Sequence, residues 1–80
     1  MPTVKVIGKY RLHFYSGDGR EPPHIHITAP DGEAKFWLRP ISLAFSHGFR
    51  SKDLKLVHRL VQENVEELLE AWNDYFQDQA

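Results

Sequence analysis

Apolar and polar residues alternate along the first half of this chain, then recur at three- and four-residue steps along the rest. Alternation is the period of a half-buried strand, and the longer step is that of an amphipathic helix. Thr3-Val4-Lys5-Val6-Ile7 is β-rich and predicts a first strand, with Gly8-Lys9 as a tight turn after it. From Tyr10 to Tyr15 the alternation puts Tyr10, Leu12 and Phe14 on one face and Arg11, His13 and Tyr15 on the other. Ser16-Gly17-Asp18-Gly19-Arg20 is dense in turn formers; its two glycines allow close backbone approach to a ligand, but a plain hairpin connection is the favoured reading. Its glycine spacing is not that of a phosphate-binding loop.

The next stretch, Glu21-Pro22-Pro23-His24-Ile25-His26-Ile27-Thr28, organises the rest. Each proline fixes its own φ and biases the preceding residue toward extended backbone. Ile25 and Ile27 then face a core, while His24, His26 and Thr28 point the other way. Asp31-Gly32 predicts a two-residue hairpin turn. That turn sets Thr28 opposite Lys35, His26 opposite Trp37 and His24 opposite Arg39. It also pairs Ala29 with Ala34, Ile27 with Phe36 and Ile25 with Leu38, so every apolar pair shares one face. Pro40 ends the strand or confines it to an edge, and Ile41–Phe45 offers a fifth short strand.

Ser51 is placed as a helix N-cap, with Asp53 in the first turn where the helix dipole favours an anion. Leu54, Val57, Val61, Val65, Leu68, Trp72 and Tyr75 or Phe76 form one apolar stripe, widened by Leu60 and Leu69. The expected fold is therefore α+β and a single domain over 1–80. It is a small antiparallel sheet of four or five strands (about 3–45) packed against one long C-terminal helix (about 52–76). With strand 2 beside strand 3, both imidazoles of the diproline segment emerge side by side on the open face of the sheet, away from the helix.

Eighty residues suit one small domain. The absence of cysteine excludes disulfides and thiolate metal sites. Nothing approaches the roughly 20 apolar residues of a membrane span, and no secretory pattern opens the chain, so a cytoplasmic bacterial protein is expected. The net charge of -1 hides an asymmetry. Residues 1–50 carry seven Lys/Arg against four Asp/Glu, and residues 51–80 carry three against seven. Four of the five histidines lie in the basic part, which suits an anionic ligand such as RNA or DNA, although ordinary charge scatter would look similar.

The polar face predicted above holds Arg11, His13, Tyr15, His24, His26, Lys35, Trp37 and Arg39. One interpretation is phosphodiester cleavage, with His24, His26 and His13 as acid and base, because imidazole titrates near neutrality. Arg11, Lys35 and Arg39 then meet phosphate, and Tyr15 and Trp37 stack bases. A second is a metal: His-x-His on one strand can chelate, with His13 or Glu33 as an added ligand. No third ligand stands out from the spacing, so no metal and no cofactor is assigned. The third is binding without chemistry, and the fourth is structural, with the histidines bonding nearby loops or lying under a partner. His-Ile-His-Ile-Thr nears the histidine-triad pattern of nucleotide hydrolases, but Thr28 stands where the third histidine belongs. His26-Ile27-Thr28 echoes the His-x-Thr of two-histidine phosphoesterases, without the second motif those need. His58 reads as a boundary residue of the helix, and His47 is uninformative. The acidic helix face reads most simply as solvated, with a basic partner as the alternative.

With these residues in view, the chain resembles a family of small bacterial and phage domains of unknown function that carry a Glu-Pro-Pro-His-Ile-His motif. The matching pieces are Met1-Pro2-Thr3-Val4, Phe14-Tyr15-Ser16, Glu21 through Ile27, Glu33 through Leu38, Gly48-Phe49 and Trp72 through Phe76. The resemblance implies one half of a toxin–antitoxin module, the toxin-like half, partnered by a small antitoxin-like protein encoded nearby. It supplies a signature surface but no catalytic assignment. The competing class is a non-catalytic module that docks a small partner.

Overall fold

A computed structural model describes residues 3–76; Met1 and Pro2 of the resemblance lie outside them. Five strands and one helix follow in order: β1 (Thr3–Ile7), β2 (Tyr10–His13), β3 (His24–Ala29), β4 (Gly32–Leu38), β5 (Ile41–His47) and α1 (Ser51–Phe76). A single 3-10 turn, Asp18–Arg20, interrupts the link between β2 and β3. The sheet is antiparallel throughout, with spatial order β1-β2-β3-β4-β5. The α+β architecture expected from the alternating pattern is the one observed.

The core is built by the predicted face. Tyr10, Leu12, Phe14, Ile25, Ile27, Ala34, Phe36 and Leu38 are buried from the sheet, and Val57, Val61, Leu68, Trp72 and Phe76 from the helix. Phe76 rather than Tyr75 completes the buried stripe; Tyr75 stays exposed. Lys5 ties β1 to the helix, its Nζ donating to Asn64 Oδ1 at 3.1 Å and to Glu67 Oε1 at 2.9 Å. The helix is capped one residue earlier than expected. The Arg50 carbonyl accepts from the Leu54 N–H at 2.9 Å, and Asp53 Oδ2 accepts from the Arg50 N–H at 3.3 Å. Arg50 is thus the cap, and the Asp53 carboxylate closes back on it, a duty usually taken by Glu or Gln at that position.

The β3–β4 register differs from the predicted one by two residues. His24 faces Trp37, Ile25 faces Phe36, His26 faces Lys35, Ile27 faces Ala34 and Ala29 faces Gly32. The turn is centred on Pro30-Asp31 rather than Asp31-Gly32. Proline is well suited to the first central position because its φ is already set. A two-residue slip preserves every inside–outside assignment, since the side-chain period is two. Gly32 is freed from the turn for another purpose: a Cβ there would lie 2.8 Å from the Phe49 backbone nitrogen and 2.9 Å from the His47 carbonyl oxygen.

β2 also ends sooner than expected, at His13. Beyond it the chain folds into a local turn. Asp18 N–H donates to the Tyr15 carbonyl at 3.0 Å, and Asp18 Oδ2 accepts from the Tyr15 N–H at 2.8 Å. Phe14 still reaches the core, where its ring meets Trp72 at 5.2 Å.

Candidate functional site

Adjacent strands align the polar side chains in rows across the sheet. His13, His26 and Lys35 are cross-strand neighbours, as are Arg11, Thr28 and Glu33, and His24 pairs with Trp37. The His13 and His26 rings stack at 5.7 Å, the His26 and His24 rings meet edge-on at 5.1 Å, and Tyr15 lies edge-on to His26 at 4.6 Å. Strand 2 does neighbour strand 3, and the two imidazoles of the diproline segment do sit side by side.

The surface is not open at both of them. His24 has 0% exposure. Its ring is enclosed by His26, by Trp37 at 5.5 Å and by Trp72 of α1 at 5.0 Å. The expectation that both rings stand clear of the helix is therefore corrected. His24 opens β3 at the end of the sheet reached by the last turns of α1, so the helix covers it. His26 keeps 13% side-chain exposure.

The loop read as a plain connection supplies the group that joins these histidines. Asp18 Oδ2 accepts from His26 Nε2 at 3.0 Å and lies 3.1 Å from His24 Nε2. Sequence reasoning missed Asp18 because it stands among turn-forming residues, where aspartate is common for local reasons. Its proximity to β3 follows only from the fold of the loop. The diproline segment fixes the other end of His24: Nδ1 donates to the Pro22 carbonyl at 2.9 Å. Glu33, considered as an added ligand, lies on the row with Thr28, one step from His26.

Burial is the largest cause of two shifted imidazoles. His13, also at 0% exposure, is pushed down to about 4, first by burial and then by the Arg11 and His26 charges. Its Nε2 lies 3.4 Å from the Thr28 hydroxyl. His26 is lowered by burial, against the opposing pull of Asp18. His13 therefore backs His26 from within the fold rather than standing beside it at the surface.

The expected phosphate and base contacts are distributed unevenly. Lys35 donates to Glu21 Oε1 at 2.6 Å and sits 4.5 Å above the Trp37 ring, so its charge already has a partner. That bond holds the Glu21 carboxyl below its usual range. Arg11 is half-buried on β2. Arg39 is exposed in the β4–β5 turn and shares a shallow cleft with Pro22, Trp37, Pro40 and Ser42. Tyr15 is exposed at the opposite rim. Among the described residues no helix is long and apolar enough to cross a membrane. Outside the face, His58 lies half-buried against Phe36 at 5.4 Å and His47 is exposed on β5.

No curated protein and no solved structure matches the chain significantly. A family model does, over residues 10–73, from β2 through most of α1 and across the whole histidine face. The chain belongs to the family described as Domain of unknown function (DUF4160).

Proposed function

We propose that this domain acts on nucleic acid at the face around Asp18, His24 and His26, as the toxin-like member of a two-protein bacterial module working in the cytoplasm. One juxtaposition carries the proposal: a carboxylate–imidazole cluster lies between two aromatic residues, Tyr15 on one rim and Trp37 on the other. Bases stack on such rings regardless of sequence. Arg39 beside Trp37 meets the backbone phosphate, and Lys35 does so once a phosphate displaces Glu21. In the acid–base form of the reaction, His26 is the imidazole with an opening to the substrate. His24 and His13 position it, and Arg11 adds positive charge behind them.

The experiment is degradation of RNA and single-stranded DNA by purified protein, with His26→Gln and Trp37→Ala alongside. Cleavage by the wild type and its loss in His26→Gln, at an unchanged thermal melt, supports the proposal. Growth arrest on expression, relieved by co-expressing the neighbouring small protein, supports the module. Absence of both cleavage and polyanion binding rejects it.

One observation favours a second reading. A fully buried His24 bonded to the Pro22 carbonyl is also what a purely structural latch for the diproline segment looks like. In that case the face is a docking surface for a partner protein, and His26→Gln leaves partner binding intact.

A further inference from the structure

We propose that Asp18, His24 and His26 form a binding site for a divalent first-row transition metal ion. The site goes beyond the action on nucleic acid proposed above, and its test needs no nucleic acid. Its starting point is the tautomer of His24. A carbonyl can only accept, so Nδ1 bonded to the Pro22 oxygen must carry the proton. In the neutral ring the lone pair is then on Nε2. That atom is buried, has no hydrogen-bond partner among the described residues, and lies 3.1 Å from a carboxylate oxygen. Two acceptors therefore face one another in a site without water access at His24, an arrangement that calls for a positive charge between them.

The contact with Asp18 is not aligned as a hydrogen bond even at that distance. A metal ion does not need to lie on the line joining two donors. Tetrahedral bonds of about 2.0–2.2 Å place neighbouring ligand atoms about 3.3–3.6 Å apart around one ion, a spacing these side chains reach by small shifts. Asp18 Oδ2 is 3.1 Å from His24 Nε2 and 3.0 Å from His26 Nε2, and one ligand atom from each residue falls within 4.8 Å of the others. The Pro22 carbonyl is the outer partner that orients a ligating imidazole. The Tyr15 N–H does the same for the carboxylate.

Two imidazoles and one carboxylate favour zinc or iron over magnesium or calcium, which prefer oxygen. Three protein ligands leave a coordination position open on the side where Asp18 and His26 keep their slight exposure. Without an ion, His26 Nε2 donates its proton to Asp18 Oδ2; an ion takes the place of that proton, which moves to Nδ1, so Nε2 is then unavailable to a substrate.

The test is calorimetric titration of tag-free, chelator-stripped protein with zinc chloride, repeated with magnesium chloride. The expected result is saturation at one zinc per chain, a raised melting temperature and no magnesium uptake. Asp18→Asn and His26→Gln should each weaken zinc binding at least tenfold; losses of about 10–100-fold follow even from removing outer partners. Asp18→Asn can still accept from the Tyr15 N–H, and circular dichroism confirms that each variant is folded. Lack of saturable zinc uptake by the wild type, or wild-type affinity in both variants, overturns the site. The outcome is separable from the proposed function. Nucleic-acid cleavage that persists in chelator, without zinc uptake, removes the metal and keeps the activity. Zinc uptake without cleavage does the reverse.

Discussion

His13 carries a stability signature that can be read directly. Its ring stays neutral in the folded protein down to about pH 4, whereas an unfolded histidine takes up a proton near its ordinary 6.5. Between those values the unfolded chain holds more protons, so stability falls as pH drops from about 6.5 and levels off below about 4. A nearby cation would act in the same direction. Urea unfolding at a series of pH values should show this loss, at most about 3 kcal/mol from His13, and His13→Gln should remove that part, leaving the part that comes from His26. A second residue-level consequence follows from the Glu21–Lys35 pair. Glu21→Gln frees the Lys35 ammonium, and affinity for single-stranded RNA should rise several-fold at low salt, measured by fluorescence anisotropy. The histidines were legible as a pair from alternation alone. Asp18 was not, because an aspartate's own turn-forming habit hides any longer-range task.

At the scale of elements, the strands and helix followed from periodicity, and the register did not. The two candidate turns, Pro30-Asp31 and Asp31-Gly32, both keep Ile25 and Ile27 inside, so hydrophobic sorting cannot choose between them. The choice is made by a contact far along the chain. Gly32 packs against the Phe49 backbone, and Gly48 has φ +89° with its Cα face against the Asp31 carbonyl, where an added Cβ would stand 2.6 Å away. The β3–β4 turn and the segment leading into α1 thus share a space already filled by backbone and by the Phe49 ring. Gly32→Ala and Gly48→Ala should each destabilise by about 1–3 kcal/mol in urea unfolding, by overpacking against backbone that cannot move aside. At Gly48 the positive φ adds to the strain. Unchanged midpoints in both would mean the two turns are not in contact.

For the whole molecule, Trp72 couples the two layers. It is 6% exposed, and its ring meets Phe14, Phe76 and His24. The amphipathic stripe foretold its burial but not its contact with the histidine face, because periodicity describes one element and says nothing of how far a helix end overhangs a sheet. Trp72→Ala should cost about 3–5 kcal/mol of stability by urea unfolding, while Trp72→Phe keeps much of the packing and exposes His24.

That overhang makes the middle of the chain depend on its far end. Because neighbours in sequence are neighbours in the sheet, the five strands can pair as they leave the ribosome, each on the one before. The lid over His24 arrives only with the final two turns of the helix. A nascent or clipped chain that stops short of residue 72 would present an unroofed imidazole on an otherwise assembled sheet, so synthesis of the last tryptophan is what completes the face.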